Sequence, residues 1–153
     1  MALRPRSGES TPGVILAARC RRRTFKLSPR PVEGERITRL GRAFAAYAPD
    51  IEWEDTSGLW GDWGVARGHE DLRQAWRQWL EIFGDVSWRL DADPLDAGDH
   101  VVATYRVHAR GRASRVEVDQ RITLIWTVRD GKISRVRAYR DRSEALEAVG
   151  LRA

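Results

Sequence analysis

The sequence predicts an α+β fold, a strongly curved, cone-shaped antiparallel sheet of four to six strands packed on helices. Two features lead there. A stripe of apolar residues at helical spacing runs through Leu72, Ala75, Trp76, Trp79, Leu80 and Phe83. After it the period drops to two, and strands follow one another across short turns. Helices first and consecutive antiparallel strands second is the α+β pattern, in which helices cover one face of the sheet.

The elements read in order as follows. "RITRLGRAFAAY" sets Ile37, Leu40, Phe44 and Tyr47 at helical spacing, and Pro49 ends it. "IEWE" is a short strand. "TSGLWGDWGVARG" is a glycine-rich loop with a minor strand at 64–67. "HEDLRQAWRQWLEIF" is the helix just described, with acids in its first turn and Gly84 after its end. "VSWRLDA" alternates Val86, Trp88 and Leu90 against polar neighbours. "HVVATYRVHARG" turns Val101, Ala103, Tyr105 and Val107 to one face and His100, Thr104, Arg106 and His108 to the other. "RVEVDQRITLIWTV" carries Ile122, Leu124, Trp126 and Val128 on its apolar face. Asp130–Gly131 is the residue pair a tight hairpin turn wants. "KISRVRAYR" returns as the last strand, and "DRSEALEAVGL" is a terminal helix capped by Asp141 or Ser143.

The chain has 153 residues, enough for one core. Seven tryptophans supply large rings to bury or to line a cavity. The formal net charge is +5, but residues 1–42 hold 11 Lys/Arg against 3 Asp/Glu, so the basic character belongs to an N-terminal arm. With four prolines and little periodicity, residues 1–35 are expected to be disordered, and residues 36–153 to form the domain. Arg21, Arg22 and Arg23 are the only feature pointing to nucleic acid or anionic lipid, and a solvated tail is the expected reading. Arginine outnumbers lysine 25 to 2, a bias that fits a GC-rich bacterial coding sequence. A single cysteine, Cys20, leaves no internal disulfide, and no apolar run is long enough to span a bilayer. A cytoplasmic location is the default.

The segment "YAPDIEWEDTSG" ends a strand on two acids, Glu54 and Asp55. Either the strand has reached water, or one carboxylate stands at the mouth of a pocket. A carboxylate walled by apolar rings loses hydration and gains basicity, which suits a general base. Trp53 on the same strand, and Trp60 and Trp63 in the following loop, would supply the wall. Trp76 serves the core first and the wall second. Glu54 points the other way from Asp55. His69, His100 and His108 share no metal-ligand spacing, so no metal site is expected, and no cofactor.

These segments resemble a known family. "PDIEWED", "ARGHEDLRQAWRQW", "IWTVRDGKISRVRAYRD" and "EALEAVGL", in this order from Arg36 to Leu151, are similar to the SnoaL-like branch of the nuclear-transport-factor-2-like (ketosteroid isomerase-like) superfamily. The resemblance implies a cystatin-like α+β barrel whose usual first helix is missing or divergent here. "YAPDIEWEDTSG" is similar to a ketosteroid isomerase segment of the form Y-A-x-D-x-x-x-E-D-x-x-G, in which the aspartate matching Asp55 is the general base. The isomerases' oxyanion donors do not carry over: no tyrosine precedes Tyr47, and the late-strand carboxyl falls at Thr123. Polyketide cyclases of the SnoaL type keep one such carboxylate and need less of that apparatus. Limonene-epoxide-hydrolase relatives use an Asp-Arg-Asp set, to which Asp119 and Arg121 would contribute.

The resemblance therefore implies a small-molecule pocket protein doing proton-transfer chemistry (isomerisation, cyclisation or hydration) on a hydrophobic carbonyl compound. Asp55 would be the base. Trp53, Trp60, Trp63, Trp76, Tyr105, Asp119, Arg121 and Thr123 would line the site, with Tyr105 or Thr123 touching the developing oxygen. The alternative is a non-catalytic ligand-binding or dimerisation module, and the family implies a homodimer formed through the sheet.

Overall fold

Three strands longer than the loops between them set the frame of the molecule, which is described here from a computed structural model for residues 25–27, 44–59 and 64–152. The strands are β1 (Phe25–Leu27), β2 (Tyr47–Asp55), β3 (Val65–Arg67), β4 (Phe83–Leu90), β5 (Leu95–Ala97), β6 (His100–Gly111), β7 (Glu117–Arg129) and β8 (Lys132–Tyr139). The helices are α1 (Gly68–Ile82) and α2 (Arg142–Ala148). The sheet order is β1-β4-β6-β7-β8-β2-β3, with β5 also on β6.

The predicted α+β class holds, with two corrections. Among the described residues the sheet has eight strands, and it is mixed: β2 lies parallel to β8, with Trp53 opposite Val136 and Asp55 opposite Ala138. Strands joined by a hairpin must run antiparallel, whereas β2 reaches β8 from the far end of the chain and has no such constraint. The pairing shifts register at 47/52 on β2, 83/85 on β4 and 127/128 on β7. Bulges of this kind bend a strand and raise its twist.

Two expected boundaries move. Tyr47 opens β2 instead of closing a helix, and Pro49 sits inside that strand within the irregular stretch, where a missing N–H breaks no regular ladder. Ile37 and Leu40 of the expected first helix lie outside the described residues. Helix α1 ends at Ile82, one residue before the expected Phe83, which turns to extended backbone and gives its N–H to the Trp79 carbonyl, and Gly84 follows that end as expected. The arm expected to be disordered lends one strand to the sheet: Phe25, Lys26 and Leu27 pair with Trp88, Ser87 and Val86. The rest of it lies outside the described residues.

The hairpin and the terminal helix form as their residues dictate. Asp130 and Gly131 have φ of 51° and 73°, the left-handed pair that matches strand twist in a two-residue turn. Asp141 caps α2 by accepting the Ser143 N–H at 2.8 Å.

Alternation then divides the sheet into two faces. The inner face meets α1 and holds the main core, including Trp53, Leu72, Trp79, Val86, Val107, Ile122, Leu124 and Val136. The outer face carries a smaller cluster in which Ala145 and Leu146 of α2 cover Val102 and Ile125. Neither described helix is long and apolar enough to cross a membrane.

Candidate ligand site

Strand β2 builds one side of the site by alternation. Ile51 and Trp53 are buried, and Asp55 continues the same face at the strand end. Glu52 and Glu54 take the other face, where Arg135 reaches Glu54 at 2.9 Å and Arg67 lies 3.6 Å from Glu52. Glu54 therefore points away from Asp55, as the spacing predicts.

The Asp55 carboxylate is held by the turn that follows it. Its Oδ1 accepts the Ser57 N–H at 2.8 Å and the Ser57 hydroxyl at 2.5 Å. The Ser57 hydroxyl oxygen in turn accepts the Leu59 N–H at 3.1 Å. Asp-x-Ser is the sequence of such a side-chain-closed turn. The turn is tied to β8 as well: the Thr56 N–H and hydroxyl both reach the Ala138 carbonyl, and Arg140 Nε donates to the Ser57 carbonyl at 3.1 Å. Ser57 itself is 5% exposed. The Asp55 carboxylate is thus half-buried and fixed in place by the turn.

A line of aromatic rings runs from β7 to β6 by way of the helix. Trp53, 2% exposed, meets Trp126 edge-to-face at 6.0 Å and Trp76 at 5.6 Å. Trp76 meets Trp79 at 5.8 Å, Trp79 meets Trp88 at 6.4 Å, and Trp88 meets Tyr105 at 5.7 Å. Such edge contacts add about 0.5–1.5 kcal/mol each beyond burial. Trp76, Trp88 and Trp126 are only partly buried, so the wall between helix and sheet keeps apolar surface at its rim.

Asp55 thus shares a face of β2 with Trp53, whose ring meets Trp76 and Trp126, and Tyr105 stands at the far end of the same aromatic line. Trp60 and Trp63 lie outside the described residues. Asp119, Arg121 and Thr123 are on the opposite face. On β7 they alternate with Ile122, Leu124 and Trp126, which fill the inner core, so they cannot share it. Asp119 pairs with Arg106 at 2.8 Å among exposed side chains, and the exposed Arg121 pairs at 2.6 Å with Asp91, whose side chain is only 16% exposed. The Arg106 guanidinium, through its hydrogen bond, holds the Asp119 carboxyl below the ordinary aspartate value. Thr123, 1% exposed, meets Thr104 hydroxyl to hydroxyl at 3.0 Å, and Arg142 Nη1 donates to the Thr104 hydroxyl at 2.6 Å beside α2.

His69 Nε2 is 3.0 Å from the Ala48 carbonyl and 3.3 Å from that of Tyr47, a tie between α1 and β2. His100 Nδ1 lies 3.0 Å from the Thr127 hydroxyl. Both are engaged in structure. His108 is exposed on the outer face.

Ser57 and Arg140 were not legible in advance. "DTS" carries the turn signal for Ser57, but only the parallel pairing of β2 with β8 brings Arg140 to it.

Several solved structures share this architecture. TerC, co-crystallised with polyporic acid, superposes with a TM-score of 0.63 at 21% identity, over 90% of this chain and 98% of its own. An NTF2-like protein from Burkholderia thailandensis E264 gives a TM-score of 0.65 at 25% identity, over 87% and 92% of the two chains. A protein with a ketosteroid isomerase-like fold from Catenulispora acidiphila DSM 44928, in complex with trimethylamine, gives 0.55 at 18% identity, over 70% and 78%. Among curated proteins no sequence matches significantly. The profile of the SnoaL-like domain matches residues 35–136, two thirds of the sequence. The chain belongs to the SnoaL-like domain family.

Proposed function

We propose that this protein binds a hydrophobic carbonyl compound against the wall of Trp53, Trp76 and Trp126, and that Asp55 takes a proton from the carbon beside the carbonyl. The observation that carries this reading is the alternation on β2. Trp53 and Asp55 share the helix-facing side, and Trp53 touches two further indoles there. Apolar rings favour a flat, apolar ligand, while the Ser57 hydrogen bonds keep the carboxylate from turning away. TerC and the Catenulispora protein, which share the fold, were crystallised with small molecules, and that is compatible with a small ligand here.

In the reaction so proposed, Asp55 removes the α-proton, charge moves to the carbonyl oxygen as an enolate, and the protonated carboxyl returns the proton to the α-carbon or, where the enolate is conjugated with a further double bond, to the γ-carbon. Positioned general bases contribute roughly a hundredfold or more. No step in this sequence needs an electron acceptor.

Deuterium exchange at the α-carbon of 2-tetralone, followed by NMR in heavy water, tests the reading. The wild-type protein should accelerate exchange over buffer, and Asp55→Asn should remove about a hundredfold or more of that acceleration. Equal exchange by wild type and Asp55→Asn would sink the assignment of Asp55.

A further inference from the structure

Arg140 stands next to the turn that fixes Asp55, and its place is built rather than incidental. It follows β8, continuing the inner-face alternation of Val136 and Ala138. Its Nε is anchored on the Ser57 carbonyl at 3.1 Å, the same Ser57 whose N–H and hydroxyl hold Asp55 Oδ1. Gly58 lies beside it, 3.6 Å from Arg140 Nη2 to where a Cβ would stand, which is ordinary contact; what favours glycine there is its backbone φ of 70°, where other side chains are strained.

Its charge also lacks an acid partner among the described residues, a state it shares with Arg89, Arg110 and Arg137 but not with four other strand arginines. Arg106, Arg121, Arg129 and Arg135 each meet an acid: Asp119, Asp91, Asp50 and Glu54 respectively. Among the described residues no carboxylate lies within ion-pair distance of Arg140, and its side chain is exposed. With Nε committed to a carbonyl, the Nη1/Nη2 edge remains as a planar two-donor fork. That edge matches the two oxygens of a carboxylate.

Resting on the ligand site proposed above, we infer that Arg140 is a specificity-determining residue that takes the carboxylate of the ligand. The ligand class is then a hydrophobic keto acid: an apolar skeleton for the indole wall, a carbonyl for the chemistry at Asp55, and a carboxylate for Arg140. The guanidinium also offsets the negative charge that Asp55 would otherwise set against an anionic ligand.

Matched probes test this by quenching of tryptophan fluorescence: 2-naphthoate against 2-naphthamide, and 4-biphenylcarboxylate against its amide. Wild type should bind each acid at least about tenfold more tightly than its amide, the low end for a hydrogen bond to a charged group. Arg140→Gln should lose that preference while keeping amide affinity, Arg140→Lys should restore part of it, and Arg121→Gln on the outer face should leave it intact. Equal binding of acid and amide by wild type, or a preference that survives in Arg140→Gln, would overturn the role of Arg140 and leave the ligand site standing. Binding of neither probe in either pair would overturn both.

Discussion

The two faces of one sheet are made by alternate residues of the same strands, yet they do different work. Inside, Val101, Ala103, Tyr105 and Val107 of β6 face Ile122, Leu124 and Trp126 of β7, and α1 closes over them with Leu72, Ala75 and Trp79. Outside, Arg106 and His108 stand opposite Arg121 and Asp119, and among the described residues α2 covers a small apolar patch. The inner face holds the large rings and therefore most of the hydrophobic stabilisation. The outer face is a set of exposed ion pairs, each of which contributes little in water. The only acid the sequence places at the end of the ring-bearing side of β2 is Asp55, and that is where ligand chemistry is proposed.

The largest test of this contrast is a deletion on each side. Trp79→Ala removes a ring that touches Trp76, Phe83 and Trp88, and should cost about 3–5 kcal/mol in urea unfolding. Ile125→Ala, under α2, should cost roughly 2–4 kcal/mol and leave the probe binding of the inner face in place. If the Ile125 variant lost binding and the Trp79 variant did not, the faces would have been assigned the wrong way round.

Thr123→Val sharpens the comparison further. It removes one hydroxyl of the buried pair with Thr104, for about 1 kcal/mol of stability, and should leave the affinity for 2-tetralone unchanged. A loss of affinity without a loss of stability would return Thr123 to the ligand site. Of similar size, Gly131→Ala puts a side chain at φ of 73° in the β7–β8 turn and should cost about 1 kcal/mol, read by thermal unfolding.

The smallest expected effect concerns pH. Hydrogen bonds from Arg129, Arg106 and Ser143 hold Asp50, Asp119 and Asp141, respectively, below the ordinary aspartate value of 3.8. Folded-state values below the unfolded value mean stability that is present above pH 3.8 and lost as pH falls through the folded values. Asp119→Asn should flatten this acid limb slightly, because the group is exposed and screened. A steeper limb in the variant would contradict the sign.

These contrasts also explain what could be read from the sequence. Helix α1, the Asp130–Gly131 turn and the Asp141 cap were legible because their signals are local: a helical stripe, a two-residue turn pair, a side-chain acceptor before a helix. β1 and β5 were not. Each has three residues, too few to show alternation, and each is fixed by a neighbour, β4 or β6. The parallel β2–β8 pairing is equally silent in sequence, and with it the meeting of Arg140 and Ser57. Asp119, Arg121 and Thr123 teach a different lesson. The alternation that puts Ile122, Leu124 and Trp126 in the core excludes them from it, because the period of the strand decides the face whatever the family resemblance implies.

The central claim is that the ligand meets the inner face beside Asp55. A ¹⁵N-resolved NMR titration with 2-tetralone reads it directly, since indole and backbone N–H signals report separately from both faces. The account predicts that the indole signals of Trp53, Trp76 and Trp126 and the backbone signals of Asp55 and Ser57 move together with one affinity, while those of Arg106, Asp119 and Arg121 stay still. Shifts confined to the outer-face residues, or no shift at the indoles under saturating ligand, would contradict it.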